Sequence, residues 1–320
     1  MSNSWGIHGH DWAVEYLQRG MEHNRIRHAY LFTGTSSIGK NTLAHAFAMA
    51  LNCQDDRCRK LIMNGNHPDM IYSETDSRTG TLKIESIRSV SNRIAMKPYD
   101  GRYRIAIFQD FDHAQPRAQD ALLKTLEEPP PSAIIMLLAE STESLLATIT
   151  SRVQTIYLRP VEADVIRDTL MQHYQTDEAT ATLLARFSGG RIGWAIQAAQ
   201  DESILERRTY ALDLLEQIIR ADRIERFQLA DDLSKDKLAL EPLIELWLTY
   251  WRDLLLLSEG SPVKTCNVDR QDKLEQFMYQ LDTESIIKAL KATQTFQRQL
   301  PISLNMRLAL EVLFLDYPEF

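Results

Sequence analysis

Gly34-Thr35-Ser36-Ser37-Ile38-Gly39-Lys40-Asn41 carries the pattern G-x-x-x-x-G-K, and its reading decides the fold. In a phosphate-binding loop the two glycines let successive backbone N–H groups turn toward phosphate oxygens, and the lysine reaches the outer phosphates. The residue after the lysine is ordinarily Ser or Thr, whose hydroxyl ligates magnesium. Here it is Asn41. The flanks fit a true loop: Ala29-Tyr30-Leu31-Phe32-Thr33 reads as a buried strand leading in, and Leu43-Ala44-His45-Ala46-Phe47-Ala48 as a helix leading out. Gly34, Ile38, Gly39, Lys40, Asn41 and Thr42 are therefore candidate nucleotide-facing residues, on a cradle whose metal half is damaged.

Working outward, Arg104-Ile105-Ala106-Ile107-Phe108 is a second compact apolar strand, and it ends in Gln109-Asp110-Phe111-Asp112-His113. A hydrolytic P-loop enzyme needs an acidic pair at such a strand end, one carboxylate for the metal and one to orient the attacking water. Gln109 stands at the metal side and brings no charge. Asp110 stands at the second position and reads as a remnant rather than a base. Two compromised metal positions on two separate elements argue against efficient hydrolysis. His113 has no convincing partner and reads as solvated.

Met70-Ile71-Tyr72, Ala133-Ile134-Ile135-Met136-Leu137-Leu138 and Gln154-Thr155-Ile156-Tyr157-Leu158 add further strands, alternating with amphipathic helices, one of which opens at Ile84. That alternation predicts a parallel sheet covered by helices, with the unbroken 133–138 run central. Strand signals stop after Pro160. Residues 161–203 read as short helices interrupted at Gly189-Gly190-Arg191-Ile192-Gly193, and 204–320 as all-helical, with a break near Gly260-Ser261-Pro262. The expected fold is an α/β P-loop core (1–160), a small helical module (161–203) and an all-α C-terminal domain (204–320). Trp247, Tyr250 and Trp251, at helical spacing, belong to the core of that last domain or to its interface.

The chain has 320 residues, 36 basic and 44 acidic, for a net charge of −8. A protein that binds DNA strongly by itself carries a basic surplus or patch, so any contact with DNA is expected to be shared with partners. No stretch has the apolar length of a membrane span and no signal segment is evident, so no membrane association and a cytoplasmic location are expected. Three irregularly spaced cysteines suggest a reducing compartment.

Ala118-Gln119-Asp120-Ala121-Leu122-Leu123-Lys124-Thr125-Leu126-Glu127-Glu128-Pro129-Pro130 resembles the A-x-N-A-L-L-K-T-L-E-E-P-P signature of bacterial clamp-loader subunits, within the AAA+ class of ATPases. His28-Ala29-Tyr30-Leu31-Phe32-Thr33-Gly34 and Asn66-His67-Pro68-Asp69 match further markers of that family. Leu146-Ala147-Thr148-Ile149-Thr150-Ser151-Arg152-Val153-Gln154 is similar to its L-x-T-I-x-S-R-C-Q segment, with Val153 in place of Cys. Gly189 to Gly193 resembles the turn of the helical lid, and Asn305-Met306-Arg307-Leu308-Ala309-Leu310-Glu311 the ending of the collar.

The resemblance implies an AAA+ core, lid and collar. It also implies that Arg152 is an arginine finger projected toward the nucleotide of a neighbouring subunit. Within the family, gamma/tau motor subunits keep an intact loop, an Asp-Glu pair and four zinc-binding cysteines, whereas a stator kind has degenerate nucleotide motifs. Asn41, Gln109 and Asp110 favour the stator, with no independent ATPase activity, as a component of a DNA polymerase III holoenzyme. ATP or ADP could still be held without efficient hydrolysis. Arg191 could reach phosphate or cap a helix end. Only Cys53 and Cys58 stand in the shortened cysteine region, with Cys266 far away; zinc needs four ligands, which His45, His67 or an acidic side chain would complete only by coincidence, so zinc is not expected. The two cysteines are expected to be inert, and the loop to close by direct packing. Implied partners are gamma/tau and delta subunits, with the sliding clamp and primer-template DNA reached through the complex. An active motor subunit and an AAA+-derived adaptor outside the clamp loader are the alternative readings.

Overall fold

A computed structural model describes residues 5–76, 81–300 and 305–318. Its contacts divide the chain into two units, Met1–Thr169 with Gly190–Trp194, and Leu170–Gly189 with Ala195–Phe320. The 161–203 segment is shared between them.

The first unit is built on five parallel strands, β1 (Ala29–Thr33), β2 (Met70–Tyr72), β3 (Arg104–Phe108), β4 (Ala133–Ala139) and β5 (Gln154–Tyr157), in the order β2-β3-β4-β1-β5. Helices α1 (Asp11–Glu22), α2 (Lys40–Asn52), α3 (Asp56–Met63), α4 (Ile84–Ile94), α5 (Pro116–Glu127) and the single turn α6 (Ala147–Thr150) surround it. Successive strand residues point to opposite faces. Tyr30, Phe32, Ile134, Met136 and Leu138 join one apolar cluster with α1 and α2, while Leu31, Ile135, Leu137 and Ala139 join another with α4 and α5. Every residue of β4 is buried, as a central strand covered on both faces requires. Connections from β1 and from β4 leave in opposite directions, so the loop after β1 lies at a switch point beyond the C-terminal strand edge, where α/β sheets hold ligands.

The His67-Pro68-Asp69 marker serves architecture. The Asp69 carboxylate is fully buried and accepts N–H bonds from Tyr99 (2.6 Å), Asp100 (2.8 Å) and Gly101 (2.8 Å), pinning the turn that starts β3. Burial alone would push this carboxyl up; the three N–H donors and nearby His67 outweigh it and hold it below the usual carboxylate range. A depressed carboxyl stabilises the fold above its unfolded pKa of about 3.9, and that contribution is lost as pH falls through the folded value. Asp69→Asn, which turns an NH₂ toward donors, is expected to cost about 2–4 kcal/mol in urea unfolding at pH 7 and to remove this acid dependence.

Cys53 and Cys58 are joined in a disulfide, with Cα atoms 5.3 Å apart. This corrects the expectation of inert cysteines in a loop closed by packing alone. Cys53 caps the end of α2, and Asp55 accepts the Cys58 N–H at 2.8 Å to begin α3, so the tight turn between the helices brings the two Cβ atoms together. With both thiols paired, the cysteine count no longer supports a reducing compartment. Among the described residues no group of three or more His, Cys, Asp or Glu is placed to hold a metal ion.

Helix α7 (Ala163–Tyr174) runs from the first unit into the second, which is helical in all its regular described elements: α8 (Glu178–Phe187), α9 (Ile192–Gln200, begun in the first unit), α10 (Glu202–Arg220), α11 (Arg223–Leu233), α12 (Lys237–Ser258), α13 (Gln271–Gln280), α14 (Thr283–Gln299) and α15 (Met306–Leu315). Trp247, Tyr250 and Trp251 are wholly buried in its core, with Phe277, Phe314 and Tyr317 against them. Arg226 is also completely buried. Its guanidinium donates to the carbonyls of Ile218 (3.0 Å), Ile219 (3.1 Å) and Ala221 (3.1 Å) at the end of α10, and to Phe314 (2.7 Å), Tyr317 (3.1 Å) and Pro318 (2.5 Å) at the end of α15. Two helix C-termini, each with partial negative charge and unpaired carbonyls, thus surround one cation. Among the described residues no helix is long and apolar enough to cross a membrane.

Candidate functional site

The loop after β1 is a formed cradle. Gly34 has φ +151°, and a Cβ there would stand 2.6 Å from the Leu158 carbonyl oxygen, so no side chain fits. Gly34 donates to the Ala139 carbonyl at 3.3 Å, tying the loop to β4. Gly39 caps α2, and the Leu43 N–H closes its first turn on the Gly39 carbonyl at 3.0 Å. His10, buried ahead of α1, donates from Nε2 to the Ile38 carbonyl at 2.8 Å; burial pushes this imidazole down, against the pull of that carbonyl and Asp11. Lys40 folds back on its own loop, its Nζ donating to the carbonyls of Gly34 (2.5 Å) and Thr35 (3.1 Å).

Gly34 and Ile38 shape the turn, while Gly39, Lys40, Asn41, Thr42 and Asp110 line one cavity of about 300 Å³. Gln109 and Asn41, the two substituted metal positions, are in contact: Gln109 Nε2 donates to Asn41 Oδ1 at 3.3 Å. Asp110 is held in the left-handed region at φ +47°. Glu140, the first residue past β4, lines the same cavity, and its N–H donates to Asp112 Oδ2 at 3.0 Å. The other Asp112 oxygen is buried without a hydrogen-bond partner. Burial pushes the Lys40 ammonium down, opposed first by Glu140, then by Asp112 and Asp110. An amide pair where magnesium would sit, with carboxylates crowding the one lysine, does not fit a magnesium–nucleotide.

Arg191 does not line this cavity; its guanidinium lies over the Trp194 ring, 5.7 Å from the centroid. Gly193 is the residue of that turn that faces the loop. Its N–H donates to the Ser37 carbonyl at 2.8 Å, and a Cβ there would be 2.7 Å from the same oxygen. His10 and Glu140 escaped the sequence reading. His10 gave no signal, since its partner is a backbone carbonyl 28 residues away. Glu140 did give one, as the first polar residue after an apolar strand beside the loop.

Arg152 stands elsewhere. It lies two residues before Gln154, the first residue of β5, which pairs with Tyr30, while Tyr157 of β5 pairs with Thr33, the residue before the loop. Gln154 stands three strand steps, about 10 Å, before Tyr157, and Arg152 lies in the turn ahead of it, at the N-terminal ends of the strands and away from the loop. Its guanidinium is partly exposed and pairs with Glu127 at the end of α5 (2.8 Å), while donating to the Thr148 carbonyl (3.0 Å) and Ser151 Oγ (3.2 Å). The signature helix α5 supports this segment. Buried Gln119 accepts from the Leu146 N–H (2.8 Å) and donates to the Ser144 carbonyl (2.9 Å), fixing the chain that enters α6.

Comparison with known proteins agrees with this geometry. Residues 9–162 match the family described as "DNA polymerase III, delta subunit". The chain is 26% identical over 317 residues to DNA polymerase III subunit delta′ of Bacillus subtilis, covering 96% of this chain and 95% of that one. The chain is thus similar over nearly its whole length to a DNA polymerase III subunit. Its similarity to tau/gamma subunits is more local: it is 33% identical over 180 residues to the tau/gamma subunit of Haemophilus influenzae, 53% of this chain but 25% of that protein. A crystal structure of a gamma subunit-related protein from Thermotoga maritima covers 94% of this chain and 97% of its own, with TM-score 0.54 and 17% identity, and shares its fold. End-to-end similarity thus lies with delta′.

Proposed function

We propose that this chain is a delta′-type clamp-loader subunit, a stator that completes a neighbour's ATPase site rather than running one of its own. The observation that carries the reading is the separation between Arg152 and the chain's own loop. A partly exposed guanidinium, paired with Glu127 and set ahead of β5, is placed to serve a partner's nucleotide rather than the site at Lys40. The amide pair at Asn41 and Gln109 supports the other half, since it offers magnesium no charged ligand.

In this reading gamma/tau subunits bind and hydrolyse ATP, and a delta subunit completes the assembly. The sliding clamp is opened and loaded on primer-template DNA by the whole complex, in the cytoplasm. The lid at 161–203 and the collar at 204–320, through which subunits join, are part of the proposal. The acidic balance of the chain, −8 overall, suits a subunit that leaves DNA contact to the assembly. The test is ATP hydrolysis by the purified chain. No turnover above that of its Lys40→Ala variant is expected; turnover that Lys40→Ala abolishes would overturn the stator reading.

A further inference from the structure

We infer that Glu140 is a specificity-determining residue of the cradle: its carboxylate at the mouth of the loop turns polyphosphate anions away. The inference deepens the stator reading and rests on it for the loop's idleness. The cradle's shape is intact, so shape alone would not exclude a nucleotide. Gly34 and Gly39 have the backbone angles the turn needs, α2 presents its N-terminus, and the cavity is formed.

Charge works against a nucleotide. Thr33 pairs with Ala139 across the sheet, so Glu140 emerges beside Gly34, at the level where the loop begins. The cavity is lined by one lysine against two carboxylates, Asp110 and Glu140. Asp112 adds a third carboxylate just behind, anchored by the Glu140 N–H and with one oxygen buried and unpartnered. In an active loop the lysine and a magnesium together offset the phosphate charge. Here the lysine is already shared among acids and spends its donors on the Gly34 and Thr35 carbonyls. A further negative charge within a cavity's width of the phosphates, at an effective dielectric near 20, weakens an anion's binding by roughly one to two powers of ten. Solvent at the mouth moves the expected value to the lower end of that range.

The probe is N-methylanthraniloyl-ADP, titrated by fluorescence into the purified full chain in EDTA. Glu140→Gln is expected to bind it about tenfold more tightly than the native chain, and Glu140→Thr similarly. Adding Lys40→Ala to Glu140→Gln should abolish the gain, which places it at this loop. Equal affinity of the native chain and both Glu140 variants would overturn the inference, as would a gain that survives Lys40→Ala. Because Glu140 is exposed, the variants should keep the native melting temperature. Failure here leaves the trans role of Arg152 standing; failure of that role shows instead in the complex's ATPase.

Discussion

Arg152→Ala is expected to slow hydrolysis at the adjoining motor site of a reconstituted clamp loader by roughly 10³–10⁵, the contribution of an arginine finger. The chain should still fold and assemble. Its partly exposed ion pair with Glu127 contributes no more than about 1 kcal/mol, and the Thr148 and Ser151 acceptors can turn to water. What is lost is a planar guanidinium held in place by Glu127 of α5 and the Thr148 carbonyl of α6. Arg152→Lys should recover little, because an ammonium cannot span two phosphoryl oxygens as the flat fork does. The measurement is steady-state ATPase of the complex with each variant, with gel filtration to show that the variant chain is incorporated.

The second large effect is on stability. Arg226→Met keeps the volume but strips the donors from carbonyls at the ends of α10 and α15. Each buried carbonyl left unmade costs about 1–3 kcal/mol, some of it recovered by relaxation of the chain end. A net loss of about 3–5 kcal/mol is expected in urea unfolding of the second unit. Arg226→Lys should fall between, since it retains the charge but has three donors on one atom in place of a fork. A loss below about 1 kcal/mol for Arg226→Met would show that the two helix ends do not depend on this clamp.

The contrast between these two arginines shows what the sequence could carry. Arg152 lies within a run of residues with local meaning, in the turn between the helical segment 147–150 and the strand that begins at Gln154. Arg226 lies in a helix with ordinary spacing, and nothing nearby marks it as buried. Its partners include carbonyls 88 and 91 residues away, and only tertiary packing brings them together. The same division holds in the first unit. The five strands were legible because apolar runs bounded by turn residues specify buried parallel strands. The Cys53–Cys58 bridge was not, since two cysteines five residues apart pair only if the intervening turn brings their Cβ atoms together, and Asp55 supplies that turn. Asn41 and Gln109 were each legible as a damaged metal position; their mutual contact was not, being 68 residues apart in the chain. Arg191 was singled out by charge, yet it is Gly193, with no side chain, that meets the loop.

The central claim is that this chain acts through Arg152 on a nucleotide it does not hold. The most direct measurement is a quenched-flow single turnover of ATP by the complex carrying native chain, Lys40→Ala or Arg152→Ala. The account predicts the native burst with Lys40→Ala, and with Arg152→Ala a burst reduced by the one motor site that this subunit adjoins. A burst lowered by Lys40→Ala and untouched by Arg152→Ala would contradict it.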